Sequence, residues 1–132
     1  MKFTVQDVDY PHEGSKFIDF IRHLKRVGVL AYDYDLKTGI FTFFGDDHHR
    51  VSLPSNGLSF EGAEDSSPEA VQAATEKVAR GEMSFKEFCK AAAEAGVHYW
   101  ETNLDHLEIE YRNHKSKAIF RQLIPQFADE AR

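Results

Sequence analysis

The chain has 132 residues, the length of one ordinary domain and too short for two independent cores. With 42% apolar and 29% charged residues it falls among folded globular chains, which excludes disordered and fibrous classes. A formal charge of −6 without a concentrated basic face argues against nucleic acid and anionic membrane as partners. The single cysteine, Cys89, excludes an intramolecular disulfide. The start "MKFTVQDVDY" has no signal-like apolar region, and no apolar run approaches the roughly 20 residues of a membrane span. A soluble, cytoplasmic protein is the expectation.

In chain order, Thr4 opens a helix that Pro11 keeps short. "SKFIDFIRHLKRVG" predicts a helix over 15–27, with Phe17, Phe20, Ile21, Leu24 and Val27 on one face and Gly28 as its stop. Three strands follow, "VLAYDY", "IFTFF" and "RVSL", the last closing on Pro54. The stretch 54–67, "PSNGLSFEGAEDSS", reads as a surface connection. "SSPEAVQAATEKVARG" predicts a helix over 68–80, with Ser67 as N-cap, Pro68 at the first helical position and Gly81 as terminator. "SFKEFCKAAAEAG" predicts another over 84–95: Ser84 and Glu87 form a capping box, Phe85, Phe88, Ala92 and Ala95 mark the buried stripe, and Gly96 ends it. Strands "VHYWETN", "LEIEY" and "AIFRQLI" complete the chain, closing on Pro125.

The two halves align at a constant offset of 68, which places Phe17 on Phe85, Phe20 on Phe88, Gly28 on Gly96, Tyr32 on Trp100 and Asp33 on Glu101. The predicted fold is α+β: two similar helix plus three-strand antiparallel units, 3–54 and 68–125, packed as one domain with helices on one side. Two unrelated units with coincidental spacing are the alternative.

"FFGDDHHR" puts two carboxylates and two imidazoles together, which raises a metal site at His48 and His49. Its place between two apolar strands, and the turn-forming character of Gly45, Asp46 and Asp47, favour a hairpin loop instead. The other histidines show no ligand spacing, so neither metal nor cofactor is expected. Cys89 follows the core residue Phe88 and reads as a buried helical thiol rather than a nucleophile. If Leu104 and Asp105 form the turn of the second hairpin, Trp100 lies opposite Ile109 and His98 opposite Tyr111 on the core face. Glu101 then lies opposite Glu108, and Tyr99 opposite Glu110, on an acidic face that is solvated or holds something cationic. Tyr32 and Trp100, four residues after each helix-ending glycine, would meet where the halves join, as core or as a pocket. "IFTFF" is apolar on both faces, so Phe41 and Phe43 are expected at a two-fold dimer interface unless the connection plugs Leu58 and Phe60 against the strand.

On "FTVQDV", "GVLAYDYDLKTGIFTFFG" and "SFKEFCKAAAEAGVHYW" with a following strand pair and "LIP", the chain resembles the YbcV-like family over residues 3–125. These are small bacterial proteins of unknown function, sometimes labelled phage envelope proteins. The resemblance implies an α+β fold and carries no catalytic residues over; this chain departs at "DVDYPHEG", where Pro11 interrupts the family's longer first helix. The function expected is a non-enzymatic binding or interaction module for an unknown small molecule, with Tyr32, Trp100, Glu101, Glu108, Glu110 and His98 as candidate ligand-binding residues. The alternative is a small enzyme using Glu101, Glu108 and Glu110 with His98 or His106 for proton transfer or metal-assisted hydrolysis.

Overall fold

Local side-chain chemistry sets where each helix starts and stops. In the computed structural model, which describes residues 2–9, 17–54 and 59–124, the helices are α1 (Val5–Val8), α2 (Phe17–Arg26), α3 (Pro68–Ala79) and α4 (Phe85–Glu94). At α4 the Ser84 hydroxyl accepts from the Glu87 amide at 3.1 Å, and the Glu87 carboxylate accepts from the Ser84 amide at 2.8 Å, so two otherwise orphaned donors are satisfied. Thr4 and Asp7 make the same reciprocal box at α1. Ser67 caps α3, with Pro68 at the first helical position, where its missing N–H costs nothing. The predicted start of α2 at Ser15, the residue Pro11, the plug residue Leu58 and the closing Pro125 lie outside the described residues.

The six strands β1 (Ala31–Asp35), β2 (Ile40–Phe44), β3 (Arg50–Pro54), β4 (Tyr99–Asn103), β5 (Glu108–Arg112) and β6 (Ala118–Leu123) form one antiparallel sheet in the order β3-β2-β1-β4-β5-β6. The fold is therefore a mixed α+β arrangement, with β1 and β4 paired at the centre. One face carries Tyr32, Tyr34, Phe41, Phe43, Trp100, Ile109 and Tyr111, all buried beneath helix residues such as Phe20, Ile21 and Leu24 of α2, Val71 of α3 and Phe88 and Cys89 of α4. Aromatic rings tie the layers together: Phe20 meets Tyr32 edge-on at 5.8 Å, and Phe88 meets Trp100 at 5.5 Å and Tyr111 at 6.1 Å. Burial pushes the Cys89 thiol up to about 12, against the opposing pull of the Tyr34 hydroxyl, so it stays a neutral packing group.

Three expectations are corrected here. The β4–β5 hairpin does not turn at Leu104–Asp105: residues 104–107 form the loop, the Asn103 carboxamide oxygen accepts from the Asp105 and His106 amides, and Leu107 takes φ 53°. The register moves by two residues, so Trp100 faces Tyr111 and Glu101 faces Glu110, while each side chain keeps its expected face because the shift is even. Tyr32 and Trp100 do not meet; across the β1–β4 seam Trp100 pairs with Tyr34, its ring 5.0 Å away, and Tyr32 pairs with Thr102. Phe41 and Phe43 are 6% and 1% exposed, so they form no patch for a two-fold dimer. Phe85, at the start of α4, stacks on Phe41, and Tyr32 packs against the rings of Phe41 and Phe43. Phe60 of the connection is half-buried against the core, its amide donating to the Leu36 carbonyl.

The "GDDHH" stretch joins β2 to β3 through a tight turn in which Asp47 and His48 take φ 54° and 62°. His49 turns inward instead, its Nε2 donating to the Phe3 carbonyl at 2.7 Å with the Phe3 ring edge-on at 4.6 Å. His23 of α2 donates to the Asp7 carbonyl at 2.6 Å. A carbonyl can only accept, so these two imidazoles act as N–H donors that fasten Phe3 to the β2–β3 turn and Asp7 to α2.

Candidate functional site: the open face of the sheet

Residues two apart on a strand share a face, and the face turned away from the helices carries most of the sheet's charge. Its middle row crosses all six strands in register: Ser52, Thr42, Asp33, Glu101, Glu110 and Arg121. On one side lies the row Arg50, Phe44, Ala31, Asn103, Glu108 and Leu123, and on the other Pro54, Ile40, Asp35, Tyr99, Arg112 and Ala118. The β1–β3 side is thus mostly neutral or apolar, and the β4–β6 side ionic. A shallow open concavity of about 470 Å³ spans the seam, lined by Ala31, Asp33, Phe44, Glu101, Asn103, His106, Glu108 and Glu110.

Two arginines are shared among three of the carboxylates. Arg112 donates through Nε to Glu101 at 2.7 Å, through Nη2 to Glu110 and through Nη1 to the Ser116 carbonyl. Arg121 reaches Glu110 at 2.7 Å and Glu108 at 3.1 Å. Arg121 and Arg112 together hold the Glu110 carboxyl below its ordinary range. Asp33 is different: among the described residues no donor bonds its carboxylate. Half-buried in the central row, it is pushed up to about 6 by burial and then by the Glu101 carboxylate opposite, with Arg112 pulling the other way.

A family model described as "Protein of unknown function (DUF1398)" matches residues 7–122. The chain belongs to this family. No curated protein matches it. The DUF1398 description names no chemistry, so the reading of the site rests on the geometry of this chain.

Of the residues expected from sequence, Glu101, Glu108 and Glu110 come together on the open face, and His106 joins them at the rim of the concavity. Tyr32 and Trp100 lie on the opposite face, buried. His98 shares that opposite face in strand parity and leaves the acid cluster: it packs against Gly62 and lies 5.4 Å from the His114 ring. Its Nε2 is buried without a hydrogen-bond partner among the described residues. His48 is exposed while His49 is bonded to Phe3, so the adjacent imidazoles diverge. Among the described residues no group of three or more His, Cys, Asp or Glu is placed to hold a metal ion. Sequence reasoning missed Asp33, Arg112 and Arg121 as members of the site; the alignment of Asp33 with Glu101 was the signal that could have found the first.

The state of Asp33 gives a prediction whose sign depends on pH. The folded protein binds a proton at Asp33 more tightly than the unfolded chain, whose aspartate titrates near 3.8. Stability from this group is therefore fully present below about 3.8, is lost as pH rises through about 6, and relative to a neutral side chain the ionised carboxyl costs a constant amount above that. Asp33→Asn should be neutral near pH 4 and stabilising near pH 7.5 by on the order of 1 kcal/mol, a small value because water screens a half-exposed group. Urea midpoints at the two pH values measure it. A variant less stable than the parent at pH 7.5 would mean that the carboxylate is paired.

Proposed function

We propose that the protein is a non-enzymatic binding module that takes a small aliphatic amine on the open face of its sheet. The observation that carries this reading is Asp33: a carboxylate without a donor, in a concavity whose remaining acids are already engaged by arginine. A cation there would gain attraction from Asp33 and Glu101 without displacing Arg121 from Glu110, and its alkyl chain would lie along Ala31 and Phe44. A volume near 470 Å³ suits a small molecule.

Calorimetric titration with spermidine tests it. Binding should be salt-sensitive and weaken about tenfold or more in Asp33→Asn and in Glu101→Gln, the equivalent of roughly 1.4 kcal/mol. Binding that these variants leave unchanged would place the amine elsewhere, and no binding would remove the reading. A second reading, a small acid–base enzyme, is favoured by one specific feature: the carboxyl of Asp33, raised to about 6, lies opposite a second carboxyl, Glu101. Turnover of a hydrolase or isomerase substrate panel, lost in Asp33→Asn with the fold intact, would establish it.

We also read the chain as one cytoplasmic, YbcV-like domain made of two fused copies of a helix and three-strand unit. Equivalent backbone bonds at an offset of 68 support the duplication. The Val29 amide donates to Leu24 as Val97 does to Ala92, Leu30 to Phe44 as His98 to Arg112, and Gly45 to His49 as Asn113 to Lys117. Left-handed residues also recur in equivalent turns: Gly39 and Leu107, His48 and Ser116. The β1–β4 seam then corresponds to a two-fold interface, and Asp33–Glu101 is the pair that falls on its axis, where each position faces its own counterpart. This explains why two acids oppose each other.

A further inference from the structure

The ends of α2 and α4 are built alike, but only one of them is overlaid. At the end of α4 the connection between the halves crosses the helix. The Phe60 amide donates to the Leu36 carbonyl, the Ala63 amide to the Ala93 carbonyl and the Ser67 amide to the Ala95 carbonyl, each at 2.8 Å, and Gly62 lies against the His98 ring. Ala93, Ala95 and Gly96 are buried as a result. Shifted by 68 positions these become Lys25, Val27 and Gly28, and His98 becomes Leu30. The end of α2 closes on the same internal bonds, Gly28 to Lys25 and Val29 to Leu24. Yet among the described residues no amide donates to the Val27 carbonyl, and a Cβ on Gly28 would meet nothing within 4 Å. Leu30 is 48% exposed, and a recess of about 150 Å³ opens at Gly28, with Lys2 and Phe3 in its wall.

Connectivity names the occupant. The connection is the chain that leaves β3, so its counterpart is the chain that leaves β6, residues 125–132, which lie outside the described ones. β6 delivers that chain to the right place: the Ile124 amide donates to the Leu107 carbonyl at 2.7 Å, and at the other side of the same loop the Leu104 amide donates to the Leu30 carbonyl at 3.0 Å. Six extended residues span roughly 20 Å, enough to pass from that loop across a helix end. Composition fits as well. Phe127 can cover the apolar Leu30, while Asp129 and Glu130 match Lys25 and Arg26, which end α2, and Lys2 at the recess.

We infer that residues 125–130 dock across the end of α2, over Leu30, as the connection docks across the end of α4. Each half's outgoing segment then straps the helix of the other half, and the two halves hold each other reciprocally.

This inference rests on the duplicated reading of the chain given above, and the experiment separates the two. A nitroxide placed on the full chain through Ala131→Cys reports where the segment lies; Cys89, buried and neutral, takes no label. The amide NMR signals of Gly28, Leu30 and Leu104 should be lost to paramagnetic broadening, and those of Gly96 and His98 should persist. Adding Leu30→Asp should restore the lost signals with the circular dichroism unchanged. Broadening confined to open-face residues such as Glu101 and Glu110, or to no structured residue, would overturn the docking. Spin-labelled chain mixed with isotope-labelled, spin-free chain tests for exchange between molecules: loss of the Leu30 signal there would put a second copy's segment in the groove and overturn docking within one chain. Hydrogen exchange tests the duplication itself. The Val29 and Val97 amides, bonded alike to Leu24 and Ala92, should both exchange slowly. Slow exchange at both with no broadening at Leu30 would keep the duplication and discard the strap, whereas a fast Val29 beside a slow Val97 would remove both.

Discussion

Trp100→Ala should destabilise the protein by about 3–5 kcal/mol, the cost of opening a large cavity in a packed core. The indole is 4% exposed and lies at the centre of an aromatic cluster, with the Tyr34, Phe88 and Tyr111 rings 5.0, 5.5 and 5.6 Å away. Tyr34 comes from β1 across the central seam, Phe88 from α4 and Tyr111 from β5, so three elements lose contact area at once. None can fill the gap without leaving its own packing. The measurement is urea unfolding followed by far-ultraviolet circular dichroism, because Trp100 is the only tryptophan and its fluorescence disappears with the substitution. A lower midpoint at unchanged slope is the expected outcome. Near-parental stability combined with lost ligand binding would make Trp100 a pocket residue and remove it from the core.

Gly96→Ala should cost about 2–4 kcal/mol, and Gly28→Ala much less, although both glycines end a helix at nearly the same backbone angle. Gly28 has φ +99° and Gly96 φ +95°, a region that an L side chain enters only with strain. The surroundings differ. A Cβ at Gly28 meets nothing within 4 Å, whereas one at Gly96 would lie 2.5 Å from the Asp65 carbonyl oxygen and 2.7 Å from the Ser66 Cα. Those are backbone atoms, held in place because the Ser67 amide donates to the Ala95 carbonyl and the Ala63 amide to the Ala93 carbonyl. The connection between the halves is thus laced to the end of α4, and Gly96 lets it approach. The difference between the two variants isolates the steric part; equal losses would mean that the connection yields freely.

Much of the secondary structure was legible because its causes are local. Ser84 and Glu87, Ser67 and Pro68, and the stops at Gly28, Gly81 and Gly96 act within a few residues, and they mark helix ends in the sequence as clearly as in the structure. Alternation along β4 and β5 likewise assigned Glu101, Glu108 and Glu110 to one face, and the assignment survived a two-residue slip in register because side chains alternate with a period of two. The hairpin turn itself was misread. Asn103 closes it through a side-chain bond to the backbone, and Leu107 occupies a left-handed position that residue type alone would not suggest.

What covers Phe41 and Phe43, and what faces Asp33, was decided by tertiary structure alone. The apolar "IFTFF" strand looked short of partners because the first half contains too little helix to bury it. Phe85, the residue that stacks on Phe41, lies 44 positions further along the chain, on a helix of the other half. Asp33 acquires its raised proton affinity first from burial in the middle of the sheet and then from Glu101, which the pairing of β1 with β4 brings opposite. Composition and periodicity determine which face of a strand is apolar and which is charged, since both depend on neighbours one or two residues away. They do not determine which strand lies alongside: that choice depends on the summed burial of both halves, and it is the choice that made Asp33 a half-buried aspartate with a raised proton affinity.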